Sequence, residues 1–147
     1  MKEIMKIRNC TQSDIGSVYS LIKNELGYHN ITESGVSERL EKLIASEEHI
    51  VLAAELDEEV CGLASFVREI SLEVDGEYLR LLCLAVREDM QGKGVGSALL
   101  KKIEDIAAEL GISLITLSSN FKRTDAHVFY EKNGFLKTSF TFKKYLR

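Results

Sequence analysis

The chain has 147 residues, which suits one domain with one core, here taken as 1–147. Apolar residues make up 45% and charged residues 29%, an ordinary globular balance, and no apolar run reaches the length of a membrane span. The net charge of -4 argues against broad binding to nucleic acid, because a phosphate-backbone partner calls for a basic excess, and it mildly favours a cationic small-molecule substrate.

Met1 to Cys10 carries neither an apolar signal core nor a cleavage signature, so the expected location is the cytoplasm. No membrane or nucleic-acid partner is expected, and the chain reads as a monomer or a homodimer. Cys10, Cys61 and Cys83 form an odd set without metal-like spacing. Cys61 and Cys83 lie in apolar runs and read as buried thiols. His29, His49 and His127 show no metal-like spacing either, so no metal is expected.

Met5 to Cys10 alternates as a short strand. Thr11-x-x-Asp14 then opens a helix whose stripe is Ile15, Val18, Tyr19, Ile22 and Leu26, with Gly27 as its stop. Tyr28 to Ile31 is a loop, and a second helix follows with Val36, Leu40, Leu43 and Ile44 on one face. His49 to Glu55 and Val60 to Ile70 read as a hairpin around a short polar turn. After a turn at Asp75-Gly76, Leu79 to Val86 is a nearly continuous apolar run, as in a strand buried on both faces.

Next come Arg87 to Met90 and then Gln91-Gly92-Lys93-Gly94-Val95-Gly96. From there Val95, Leu99, Ile103, Ile106 and Leu110 mark a helix that Gly111 ends. Ile112 to Ser118 is another apolar strand. A short helix over about Asp125 to Lys132 stops at Asn133-Gly134, and Phe135 to Leu146 gives one or two last strands. The order predicts a mixed α/β sheet with a βαβ crossover around the glycine loop.

That loop suits an anion. The first N–H groups of a helix lack partners inside it, the aligned peptide dipoles add positive character, and glycine lets the backbone approach a ligand closely. Gly92, Gly94 and Gly96 beside Lys93 therefore point to phosphate. A P-loop needs G-x-x-x-x-G-K-[ST], which does not occur here. The dinucleotide fingerprint lacks its third glycine, because Ser97 and Ala98 stand where it should fall.

The pattern Gln91-x-x-Gly94-x-Gly96, after an apolar strand and opening an amphipathic helix, resembles the acyl-CoA loop of the GNAT acetyltransferase superfamily. The segment Ser119-Asn120 through Ala126, Phe129-Tyr130, Asn133 and Gly134-Phe135 resembles that family's second signature, in the family's order. The resemblance implies a single-domain GNAT fold of about six to seven strands and about four helices, with the strands ending at Val86 and Ser118 splayed into a V.

It also implies acetyl-CoA as acyl donor. The pantetheine arm would bond to backbone at Leu84, Ala85 and Val86. The pyrophosphate would sit on Gln91, Gly92, Lys93, Gly94, Val95, Gly96 and Ser97. Asn120, Ala126 and Phe129 would flank the arm, and Tyr130 would give a proton to the departing thiolate. The acceptor would be an amine of a small molecule or peptide. Members of the superfamily often carry a glutamate on the strand that holds Leu82 and Cys83 here. Glu69, Glu77 or a water chain remain as the base. An acyltransferase with another acyl group and a non-catalytic acyl-CoA-binding domain are the alternatives.

Overall fold

The computed structural model describes residues 4–146. In chain order the elements are β1 (Met5–Asn9), α1 (Ile15–Glu25), α2 (Glu33–Ala45), β2 (His49–Leu56), β3 (Glu59–Glu69), β4 (Tyr78–Val86), α3 (Val95–Glu109), β5 (Ile115–Leu117) and α4 (Thr124–Lys132). Short 3-10 turns at Gln12–Asp14 and Glu88–Met90 precede α1 and the glycine loop. The chain forms two compact units, one ending at Thr116 and one beginning at Leu117.

The sheet order is β1-β2-β3-β4-β5. The first four strands run antiparallel to their neighbours. β4 reaches β5 only through α3, the kind of crossover that a parallel neighbour needs, and the sheet is mixed. β2 turns into β3 at Asp57 and Glu58, whose φ angles of 51° and 66° are the positive pair that a two-residue hairpin requires. At the start of α1, the Thr11 N–H donates to Asp14 Oδ2 at 2.8 Å, so the first polar signature in the sequence works as a cap.

The central strand β3 is buried from Cys61 to Val67, because helices cover both of its faces. On one face, Val18 and Leu21 of α1 and Val36 and Leu40 of α2 pack on Val51, Ala53, Leu63 and Ala85. On the other face α3 comes down so closely over Gly62 that a Cβ there would stand 2.8 Å from Val95 Cγ1 and 3.2 Å from Leu99 Cδ1. Gly62 is thus a glycine of close approach.

β4 carries an irregularity. Ser65 pairs with Cys83, but Phe66 pairs with Leu81, so Leu82 is an extra residue on β4. Such a bulge bends its strand and re-aims the side chains around it.

Two expectations need correction. The sheet has five strands, not six to seven, because Phe135 to Leu146 forms no strand among the described residues. The apolar alternation in that segment meets no partner ladder: Leu136, Phe140, Phe142, Tyr145 and Leu146 are all exposed. β5 is also shorter than the run Ile112 to Ser118. Gly111 takes φ 72° and the Ile112 N–H donates to Ala107 O at 2.8 Å, so the first residues of the run are spent on closing α3.

Candidate active site

β4 delivers the chain to the glycine loop, and α3 begins inside it. Gly92 and Gly94 take φ of 77° and 86°, left-handed values that favour glycine. Gly94 is the N-terminal cap of α3, and its carbonyl accepts the first helical bond from Ala98 at 3.0 Å. A Cβ at either glycine would meet nothing within 4 Å, so the surface over the helix start is open. Val95 is buried and anchors the loop from below, while Lys93 and Ser97 are exposed. An open helix N-terminus with a lysine beside it fits a pyrophosphate group.

Gln91 does something the sequence does not suggest. Its side-chain amide donates to Val86 O at 2.9 Å and to Glu25 Oε2 at 3.2 Å. The other oxygen of Glu25 accepts the Glu88 N–H at 3.1 Å. The last residue of α1 thus ties down both sides of the turn between β4 and the loop. Leu84 and Val86 are partly exposed on β4, and Ala85 between them is buried against the α1–α2 face.

In the second unit, Asn120 is exposed and its Oδ1 accepts the Lys122 N–H at 2.9 Å, which closes the turn into α4. His127 Nε2 lies 2.8 Å from Asn120 O and holds the same turn. Among the described residues, Ser119 Oγ is buried without a hydrogen-bond partner. Ala126 and Phe129 are half-buried on α4. The buried Tyr130 ring lies edge-on between Phe129 and Phe135, with centroids 5.5 Å and 5.8 Å away. Asn133 Nδ2 donates to Phe129 O at 2.9 Å, and the Phe135 N–H donates to Tyr130 O at 3.0 Å. The Asn-Gly-Phe part of the signature therefore locks the helix end against the Tyr130 ring.

The two candidate bases are occupied. Glu69 Oε1 accepts from Arg80 at 2.6 Å and Glu69 Oε2 accepts from the Tyr78 hydroxyl at 2.8 Å. Arg80 first, and then Tyr78, hold the Glu69 carboxyl below the usual carboxylate range. That direction opposes a base, which works best with a pKa near the operating pH. Glu77 is in a two-point ion pair with Arg68 at 2.7 Å and 3.1 Å. Both lie at the far end of the hairpin, where Glu69 pairs with Tyr78. From Tyr78 to Cys83 is five residues of strand, roughly 16 Å at about 3.3 Å per residue.

Between the α1–α2 pair and the sheet lies a cavity of about 270 Å³. Its floor is Ser65 of β3 and Cys83 of β4, directly opposite each other beside the bulge. Tyr28 and Ile31 of the interhelix loop and Arg39 of α2 close it from outside. Among the described residues, no group of three or more His, Cys, Asp or Glu side chains could hold a metal ion, and no helix is long and apolar enough to cross a membrane.

Residues 15–135 match the model of the acetyltransferase (GNAT) family. The chain belongs to the GNAT acetyltransferase family. It is 33% identical over 147 residues to an aminoalkylphosphonate N-acetyltransferase of Salmonella typhimurium, a match that covers 97% of this chain and 92% of the relative. A GNAT family acetyltransferase of Staphylococcus aureus superimposes with a TM-score of 0.76 at 26% identity, over 99% of this chain and all of that one. An aminoglycoside N-acetyltransferase, AAC(6')-Iy, solved in complex with CoA, superimposes with a TM-score of 0.87 at 15% identity, over 100% of this chain and 97% of that one, and shares the fold.

For a GNAT acetyltransferase, three residues here carry more than the sequence suggests. Glu25 gives no local signal, since its partners are 63 and 66 residues away. Arg39 sits on the polar side of α2 and reads as an ordinary surface charge. Ser65 has a signal: it interrupts the apolar run from Val60 to Val67, and it is the buried polar residue of the core.

Proposed function

We propose that this chain works as one domain, 1–147, and is an acetyl-CoA-dependent N-acetyltransferase that acts on a primary amine by direct attack on the thioester. The family match runs through both compact units, which supports a single working domain. The observation that carries the donor assignment is the loop after β4, with left-handed Gly92 and Gly94, open space above them and Lys93 alongside. Gln91, Gly92, Lys93, Gly94, Val95, Gly96 and Ser97 would hold the pyrophosphate, in part through N–H groups that the helix leaves unused. Backbone at Leu84, Ala85 and Val86 would hold the pantetheine arm, with Asn120, Ala126 and Phe129 beside it.

Acetyl-CoA supplies an acyl carbon activated by a good leaving group. The protein's part is to orient the amine, exclude water and give the departing sulfur a proton, for which Tyr130 is the proposed donor. The likeness to an aminoalkylphosphonate N-acetyltransferase of Salmonella supports a small amine as the acceptor class.

Thiol release from acetyl-CoA, followed with and without small amines, tests the function. Release that depends on an amine supports transfer, and acetyl-CoA binding without release under any amine would favour a binding-only domain. Calorimetry on Gly94→Val tests the loop, and unchanged acetyl-CoA affinity in the folded variant would remove the phosphate assignment.

A further inference from the structure

The cavity under the α1–α2 pair has a definite chemical character. Most of its wall is aliphatic, and no carboxylate lines it among the described residues. Arg39 is its charged residue. Among the described residues no carboxylate lies within ion-pair distance of Arg39, which is exposed at the rim. Gly35, one turn earlier on α2, leaves the space that the guanidinium uses: a Cβ there would stand 3.3 Å from Arg39 Nη1. At the floor, Ser65 is 9% exposed and no hydrogen-bond partner engages its hydroxyl among the described residues. It faces Cys83 across the strands, one residue from the bulge and next to Leu84. The cavity thus has one polar contact at its floor and an unpaired cation at its mouth.

We propose that this cavity takes the acceptor, and that Arg39 selects an amine whose other end is an anion, a carboxylate or a phosphonate. The proposal rests on the acetyl-transfer reading and adds the charge class of the substrate. A guanidinium without a carboxylate partner is suited to planar, two-point binding of such a group. A water takes about 30 Å³ of liquid volume. A cavity of about 270 Å³ therefore fits a molecule of on the order of ten non-hydrogen atoms. A polycationic aminosugar is several times larger and would meet Arg39 with like charge.

The same chemistry bears on the missing base. An ammonium moved into an aliphatic cavity without a carboxylate is disfavoured against the neutral amine, because burial penalises the charged form. The amine end would reach the Ser65–Cys83 floor as the nucleophile, and its surplus proton would leave to solvent before attack. Nitrogen then bonds to the acyl carbon, the carbon–sulfur bond breaks with its electrons on sulfur, and the amine's remaining extra proton balances the thiolate.

The test uses the full chain. Acetyl-CoA affinity is measured first by calorimetry, and then kcat/KM with 2-aminoethylphosphonate, β-alanine, propylamine and an aminoglycoside, for the native protein, Arg39→Gln and Arg39→Lys. The expected result is a preference for the two acid-bearing amines over propylamine. Arg39→Gln should raise the KM for those two by about tenfold to a hundredfold, the usual range for a lost charge-assisted contact, with a much smaller change for propylamine. Arg39→Lys should recover part of it. Equal use of acid-bearing and neutral amines, equal effects of Arg39→Gln on both, or an aminoglycoside as the best acceptor would overturn the proposal and leave acetyl transfer standing. Acetyl-CoA binding with no transfer to any of the four would overturn it as well. Failure to bind acetyl-CoA would take down the transfer reading itself, and this proposal with it.

Discussion

Gly62 of β3 lies directly beneath Val95, the first residue of α3, so closely that a Cβ on Gly62 would stand 2.8 Å from Val95 Cγ1. This contact sets how near the start of the glycine loop's helix comes to the sheet. Val95 has a stiff, branched side chain and Leu99 closes the other side at 3.2 Å, so neither gives way easily. Gly62→Ala should therefore cost about 1–3 kcal/mol in stability, the usual range for overpacking. Because the displaced residue opens α3, the same substitution should also weaken acetyl-CoA binding. Urea unfolding and calorimetry on one preparation check both. A fully stable variant with unchanged affinity would show that α3 has slack at this point.

The part of the chain that was legible in the sequence is the part fixed by local chemistry. Leu79 to Val86 could be read as a strand, Gly92 and Gly94 as positions of positive φ, and Thr11 with Asp14 as a cap, because each depends on neighbours within a few residues. The expected burial of that strand on both faces does not hold: Leu79, Leu81 and Ala85 are buried, but Arg80 and Leu82 are exposed, because an apolar run does not say whether a second layer covers it. The hairpin turn followed from its polar residues. What escaped depends on distant partners. Glu25 holds Glu88 and Gln91 only after the sheet has brought the end of α1 to the end of β4. Gln91 matches the phosphate-loop pattern, yet its amide is engaged with Val86 O and Glu25. The last segment had the alternation of a strand, but alternation states only which residues share a face, not whether a ladder partner is present.

Stability should fall in acid partly through Asp14. Its carboxylate accepts from Arg8 at 2.8 Å and 2.9 Å and from the Thr11 N–H at 2.8 Å. Arg8 first, and then the Thr11 amide against the opposing effect of burial, hold the carboxyl well below the usual carboxylate range. A carboxyl whose pKa is lower in the folded state stabilises the fold above its unfolded value of about 4, and that contribution is lost as the pH falls below it. Asp14→Asn keeps the size and an acceptor oxygen but not the charge. Its unfolding midpoint should be lower than that of the native protein at pH 7, and the gap should narrow at pH 3. A gap that does not change with pH would mean that the pair contributes by geometry alone.

The three thiols should separate by reactivity. Burial pushes Cys10 up to about 12 and raises Cys61, so neither supplies thiolate near neutral pH. Cys83 is only partly buried and lines the cavity above β4. In the folded protein a small alkylating reagent at pH 8 should modify Cys83 first, as read by peptide mass mapping. Replacing Cys10 by Ser, and Cys61 and Cys83 by Ala, should leave amine-dependent thiol release in place if the protein folds. Loss of all release in a folded triple variant would put a thiol into the transfer step.

Tyr130 gives the sharpest test of the proposed chemistry. Its ring is held edge-on by Phe129 and Phe135, and the Phe135 N–H closes the helix end on Tyr130 O. All of these contacts belong to the ring and the backbone. Tyr130→Phe removes only the hydroxyl, so the fold and most of the acetyl-CoA affinity should survive. What should go is proton donation to the departing thiolate. General acid catalysis is typically worth about 10²–10⁴-fold. A thiolate leaves fairly well unaided, its thiol having a reference pKa of about 8.5, so the loss should fall toward the low end of that range. It should appear in kcat and not in the donor's KM. Steady-state rates with a good acceptor, beside a binding isotherm for each protein, make the comparison. A variant with native kcat when chemistry limits the rate would return Tyr130 to a packing role between its two phenylalanines.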